Sequence, residues 1–277
     1  MESKELTIVI VTFKSRGKIF NCLNSIPKDI EVIIVENSND LSLKKDIESK
    51  HQNVNYILSG DNKGYAVANN IGLNMVKTKY ALVLNPDTVL DKDAINNFII
   101  SANRLNNFWL MGPANDQQIK NEFKNDNITE VENLKGFAIF FNLIKFKKKF
   151  FDENFFLYFE EIDLCRNVKI NKGKIYLDRN IKIKHEGAGS VDKANKIELE
   201  KNRNWHWMWS SFYFHKKYKG IFLALIIIFP KLMSSVLKTI FFSLIFNKEK
   251  KDIYYCRLSG ILNSIIGKKS WYRPSLD

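Results

Sequence analysis

The chain has 277 residues, 45% hydrophobic and 26% charged, which excludes a disordered chain or a low-complexity fibre. Twelve glycines and five prolines exclude a collagen-like repeat, and three widely spaced cysteines, Cys22, Cys165 and Cys256, argue against a disulfide framework or a zinc cluster and fit a reducing compartment. The net charge of +13 points to an anionic partner and is unevenly placed: residues 201–277 hold 14 Lys and Arg against three acids (+11), leaving 29 − 27 = +2 for residues 1–200.

The apolar run Leu6–Val11 is six residues long and follows Glu2 and Glu5. It is too short and too acidic at its flank for a secretory signal, so the body is expected in the cytoplasm. LTIVIVTF (6–13) reads as a buried strand because it is a short apolar run rich in β-branched residues. A helical pattern follows to Ser25, then strands at EVIIVEN (31–37) and NVNYILS (53–59). Val67, Ile71 and Met75, four apart, predict a helix over 65–76. YALVLNPD (80–87) predicts a fourth strand ending in a turn, and 91–106 a further helix. Strands recurring every ~25 residues with helices between them predict an α/β fold with a largely parallel sheet. Beyond that, 117–133 reads as a loop with short strands and 136–141 as a strand. Residues 150–173 read as aromatics leading into an acidic helix that stops at Gly173, and 174–185 as two strands.

The tail differs. Residues 204–218 are rich in Trp, Tyr and Phe, 220–230 are strongly apolar, and 231–246 carry a polar stripe of Lys231, Ser234, Ser235, Lys238 and Thr239. Pro230 and Lys231 are expected to break this stretch into two helices lying in a membrane interface rather than one clean span. A buried helical hairpin is the alternative. Lysines around the stretch and aromatics at its flanks favour an anionic lipid surface. The expected domains are therefore 1–200 and a basic, apolar helical tail over 201–277. The basic excess lies with apolar helices, so nucleic acid is not the expected partner.

In an open α/β sheet, ligands bind beyond the carboxyl ends of the strands. Polar groups stand there after three strands: Thr12-Phe13-Lys14, Glu36-Asn37-Ser38 and Asn85-Pro86-Asp87. TFKSRG lacks the glycine fingerprint of a dinucleotide site, and no GxxxxGK[ST] loop occurs, so nucleotide binding through side chains and a metal is expected. Asn62, Gly64, Asn69 and Gly72 surround a helix start, either as cap and packing residues or near phosphates. Glu160, Glu161 and Asp163 crowd carboxylates against Phe155, Phe156, Tyr158 and Phe159, which is expected to raise at least one carboxyl pKa toward that of a general base. His185 ends a strand before Gly187-Ala188-Gly189-Ser190 and suits a divalent metal or a diphosphate.

Together IVIVTFKS, VIIVENS, DNKGYAVANNIGL, LVLNPDT, FDENFFLYFEEIDLCR and KHEGAGS resemble glycosyltransferase family 2, in particular its rhamnosyltransferase-like bacterial enzymes, from about Leu6 to Ser190. The resemblance implies a GT-A fold, a Rossmann-like mixed sheet binding a nucleotide-sugar. It places Thr12 by the nucleoside, Glu36 where an Asp contacts the base, and Asn62, Gly64 and Asn69 on the nucleotide side. Asn85-Pro86-Asp87 stands for an Asp-x-Asp motif, so Asp87 becomes the metal carboxylate, with His185 beside the metal and diphosphate. Glu161 becomes the catalytic base, with Glu160 as the alternative, and Asp163 and Arg166 support the helix and its loop. The implied reaction is inverting transfer, assisted by Mg2+ or Mn2+, of a sugar such as rhamnose from a dTDP- or UDP-linked donor. The acceptor would be a glycan or polyprenyl-linked hydroxyl, in surface-polysaccharide assembly on the inner face of the cell membrane. A nucleotidyltransferase and a non-catalytic membrane-surface protein on the same fold are the rival readings.

Overall fold

A computed structural model of the chain describes residues 5–105, 107–114, 126–185 and 193–273. By packing, the chain divides into two units. The first comprises Met1–Asp152 and Glu161–Gly189, the second Glu153–Glu160 and Ser190–Asp277.

The first unit is built on β1 (Leu6–Thr12), β2 (Glu31–Glu36), β3 (Val54–Leu58), β4 (Tyr80–Leu84), β5 (Thr88–Leu90), β6 (Phe108–Pro113), β7 (Ile128–Glu130), β8 (Ala138–Asn142), β9 (Lys174–Asp178) and β10 (Ile183–His185). Eight of these form one sheet in the order β3-β2-β1-β4-β8-β6-β9-β7, while β5 and β10 form an antiparallel pair. β1 pairs in parallel with both β2 and β4, and β8 runs antiparallel between β4 and β6. The chain thus leaves β1 in both directions, the point in such a sheet where ligands bind beyond the carboxyl ends of the strands.

The helices are α1 (Arg16–Asn24), α2 (Leu41–Lys50), α3 (Gly64–Met75), α4 (Ala94–Arg104) and α5 (Glu160–Ile170). α2 has no counterpart in the sequence reading because only Leu43 and Ile47 of it are buried. Its start is set instead by Asp40, whose carboxylate accepts from the Leu43 amide at 2.8 Å.

Residues along β1 alternate between two cores. Leu6, Ile8 and Ile10 join Phe98, Phe108 and Phe140, whereas Val9 joins Phe141, Phe150 and Phe151. Phe98 and Phe140 stack at 4.8 Å with rings 8° apart. Gly72 lets α3 lie close on β1: a Cβ there would collide with Val9. It is a packing glycine, whereas Gly64, at φ +82°, opens α3 in a conformation that favours glycine.

The second unit contains α6 (Lys193–Leu244) and α7 (Lys248–Ile265). α6 breaks at Gly220, where φ 78° and ψ 165° are not helical. The expected break at Pro230 is not found: Pro230 lies inside the helix, since the missing N–H removes one backbone bond without ending the run. Met208, Phe212, Ala224, Ile228 and Ile261 form one core of this unit, and Trp205, Trp209 and Cys256 another. The buried His206 ring lies 2.8 Å from the Tyr272 carbonyl through Nε2 and 2.8 Å from the Ser270 hydroxyl through Nδ1. Burial pushes its pKa down to about 3, so the ring is neutral and holds both partners.

The polar stripe of α6 faces its own unit. Lys231 Nζ donates to Ser211 Oγ at 3.1 Å and Lys238 Nζ to Tyr254 OH at 3.3 Å. The opposite face exposes Phe222, Ile226, Phe229, Leu237, Phe241 and Leu244.

Gly72→Ala is expected to destabilise the protein by about 1–3 kcal/mol through overpacking against Val9, read as a lower urea midpoint at unchanged slope.

Candidate active site

Glu36 organises the end of β2. It is wholly buried, and one carboxylate oxygen accepts from Thr12 Oγ1 at 2.5 Å and Tyr56 OH at 3.2 Å. The other accepts from the Ser38 amide at 2.5 Å and from the Ser38 hydroxyl. Four donors fill the acceptor capacity of a carboxylate. Glu36 thus ties β1, β2, β3 and the Ser38 turn together, with both oxygens engaged inside the protein. Thr12 is equally buried and spends its hydroxyl on Glu36.

Asn37, and Asn39, which sequence reasoning passed over, fasten the next loop. Asn37 Nδ2 donates to Gly64 O at 3.2 Å, and the Asn39 side chain bonds both ways with the Gly60 backbone. Asn62 Oδ1 accepts from the Gly64 amide at 3.2 Å, the cap-like role weighed for it. Asn69 donates to Tyr65 O at 2.9 Å, and its buried Oδ1 has no partner among the described residues. Thr12, Glu36, Asn62 and Gly64 thus sit on one bonded set of loops, and Asn69 lies one turn further along α3.

Asn85 forms the turn after β4. Its amide donates to Phe137 O at 2.9 Å, and its carbonyl accepts from Thr88 Oγ1 at 2.7 Å. This turn presents Asp87, whose Oδ1 lies 3.3 Å from His185 Nε2 and whose Oδ2 lies 3.9 Å from Lys18 Nζ. The β5–β10 pairing, with His185 opposite Thr88, makes that contact possible between residues far apart in sequence. Lys18 was not expected from the sequence; a lysine in the first turns of a helix carries no signal by itself. Gly187–Ser190 lie outside the described residues.

Phe137 stacks on His185 at 4.9 Å with rings 8° apart. Its neighbour Gly136 lies against Glu161: a Cβ at Gly136 would be 3.7 Å from the Glu161 side chain. The dipeptide Gly136-Phe137 therefore touches Asp87's partner on one side and Glu161 on the other. Glu161 stands on the wall of a cleft of about 600 Å3 lined by residues 129–135 and Ile162. Burial raises its pKa above the usual carboxyl range, against the backbone amides of Glu161 and Ile162 and the charge of Lys135. Glu160 and Asp163 are buried, whereas Arg166 is exposed.

Just before this helix the backbone is strained. Tyr158 and Phe159 take φ of 69° and 71°, a left-handed conformation that costs roughly 1–2 kcal/mol per non-glycine residue.

Among the described residues no group of three or more His, Cys, Asp or Glu could hold a metal. Asp87 and His185 nevertheless supply one oxygen and one nitrogen donor, the number with which a protein holds a cation whose remaining positions go to substrate phosphates. The Asp87 carboxylate is the kind of donor that Mg2+ and Mn2+ take, whereas imidazole suits softer divalent ions.

Residues 7–165 match the family model Glycosyl transferase family 2. The chain belongs to glycosyltransferase family 2. It is 29% identical over 201 residues to the low-salt glycan biosynthesis hexosyltransferase Agl10 of Haloferax volcanii, an alignment covering 61% of this chain and 64% of the relative. The chain thus spans less than two thirds of that relative's length. Two solved structures share its fold. The mannosyltransferase PcManGT from Pyrobaculum calidifontis, in complex with GDP-Man and Mn2+, aligns with a TM-score of 0.58 at 12% identity over 96% of this chain and 88% of its own. TarS of S. aureus aligns with 0.55 at 13% identity over 94% of this chain and 55% of its own. The fold is GT-A, with the long apolar helix α6 following it in sequence.

Glu36→Ala is expected to lower stability by about 1–3 kcal/mol in chemical denaturation, because Thr12, Tyr56 and Ser38 lose their common acceptor. A residue serving only to contact a base would leave the unfolding midpoint in place.

Proposed function

We propose that this chain is an inverting glycosyltransferase, moving a hexose from a nucleotide diphosphate donor to a hydroxyl of a glycan or lipid-linked acceptor at a membrane surface. What supports this reading is that Asp87 pairs with His185, that Phe137 stacks on His185, and that the adjoining Gly136 lies beside Glu161. It is supported by a relative named as a glycan biosynthesis hexosyltransferase and by folds solved with GDP-Man and with UDP-GlcNAc.

Glu161 takes the proton of the acceptor hydroxyl. The oxygen attacks the anomeric carbon opposite the diphosphate, the bond from that carbon to the phosphate oxygen breaks, and its electron pair leaves with the nucleotide. Configuration inverts. A carboxyl whose pKa is raised by burial is a stronger base than a solvated glutamate and is better matched to a hydroxyl proton. Asp87 and His185 would hold the divalent cation, which when bound neutralises charge on the leaving diphosphate. Lys18, on the same carboxylate, adds fixed positive charge there.

Rhamnose is the narrower reading of the sugar, from the sequence resemblance. Because the carboxylate of Glu36 is satisfied within the protein, it does not choose between bases, and dTDP, UDP and GDP donors all belong in the substrate panel.

The surface role rests on α6. Its stretch 221–244 is about 36 Å long at 1.5 Å per residue. The most apolar window of α6 has a mean hydropathy of 2.2 and is only 17% buried. α7, which packs along α6, carries Lys248, Glu249, Lys250, Lys251 and Asp252. Such charges suit the headgroup layer and not hydrocarbon, so the pair is read as lying in the interface with the phenylalanine face down.

Three outcomes test this. Asp87→Ala and Glu161→Gln each lower kcat by roughly a hundredfold or more in a sugar-transfer assay with Mn2+ present, and Glu160→Gln lowers it less. Transfer rises with pH through an acid limb lying above the ordinary glutamate value of 4.5, because the raised pKa keeps Glu161 protonated to higher pH, and Glu161→Gln abolishes the limb. The wild type sediments with anionic vesicles, and replacing Phe222, Phe229 and Phe241 together by Ser leaves it in the supernatant.

A further inference from the structure

Residues 153–160 interrupt the first unit in sequence and pack within the second. Nearly every residue from 155 to 159 is gripped by the proximal half of α6. Phe155 meets Tyr213 edge-on at 4.9 Å, and Phe156 stacks on His206 at 4.5 Å. The Leu157 carbonyl accepts from the wholly buried Ser210 hydroxyl at 2.9 Å. Tyr158 and Phe159 both rest on Trp207, at 5.3 and 5.2 Å. These last two are the residues with φ of 69° and 71°. Two adjacent aromatic residues hold a left-handed backbone only where their surroundings over-determine it, and such strain gathers at functional sites. The residue after Phe159 is Glu160, the first of α5, and the next is Glu161.

We propose that Trp207 and Ser210 are positioning residues for the carboxylates at the start of α5: they hold the left-handed Tyr158-Phe159 turn, and that turn sets where the first turn of α5 begins and how Glu161 points. The inference rests on the reading of Glu161 as the base and gives α6 a role in the chemical step besides surface attachment. Trp207 is 42% exposed, so truncating it leaves the cores between α6 and α7 intact.

The test uses the full chain as wild type, Trp207→Ala, Trp207→Phe, Ser210→Ala and Glu161→Gln. Amide hydrogen exchange is expected to accelerate at least tenfold over residues 158–164 in Trp207→Ala, with α7 and the sheet unchanged. The kcat of Trp207→Ala falls roughly ten- to a hundredfold, as misplacing a reacting group by about an ångström does, while the donor KM stays within twofold and the acid limb of the pH profile shifts. Trp207→Phe restores most of the rate, and Ser210→Ala moves in the same direction by less. Unchanged exchange over 158–164, or exchange rising uniformly through α6 and α7, overturns the proposal. So does an unchanged kcat in Trp207→Ala where Glu161→Gln has lost activity. Should the wild type transfer no sugar, the reading of Glu161 as base fails, and the exchange measurement alone decides whether α6 holds the turn.

Discussion

A carboxylate taken out of water must have its lone pairs met by the protein, and Glu36 meets that condition with donors from β1, β3 and the turn after β2. Removing any one donor leaves a buried carboxyl oxygen short of a partner, so the strand ends hold their spacing. The Asn37 amide bonds to Thr12 O at 2.8 Å and the Ser59 amide to Glu36 O at 3.0 Å, which carries the same constraint to the loop leading into α3. The carboxyl ends of β1, β2 and β3 are thus fixed by one buried side chain.

The acidic half of the site is assembled differently. Asp87 sits on a tight turn and His185 on the short strand β10, and the antiparallel pairing of β5 with β10 brings them together. Phe137 then covers the imidazole with its ring, limiting the orientations available to it. Gly136 has no side chain to separate this group from Glu161. The chemistry proposed for the site needs a base and a leaving-group clamp near one another, and a single dipeptide at the start of β8 touches the residues of both.

Much of this was legible in the sequence. β1, β2, β3 and β4 are short apolar runs with polar ends, and their order with the intervening helices led directly to the parallel half of the sheet. Asp87, His185 and Glu161 could be singled out because each follows or opens a regular element. What stayed hidden was of two kinds. Lys18 and the Gly136-Phe137 dipeptide matter only through tertiary neighbours, and nothing in their local pattern marks them. Glu36 was legible as the polar end of a strand, but sequence does not show the four donors folded over it. The break in α6 fell at Gly220 and not at Pro230 for a related reason. A proline costs one hydrogen bond, which a helix can forgo, whereas a positive φ turns the chain outright.

With Lys231 bonded to Ser211 and Lys238 to Tyr254 while phenylalanines and leucines stand exposed, α6 reverses the usual arrangement of a surface helix in water. On the proposed surface role, an amphiphile covering the outer face adds to stability by mass action to the extent that it binds the folded chain better than the unfolded one. The melting temperature would then be a joint property of the polypeptide and of the amphiphile around it. Detergent micelles of increasing concentration should raise it, and removing the detergent at constant protein concentration should favour self-association through the same phenylalanines.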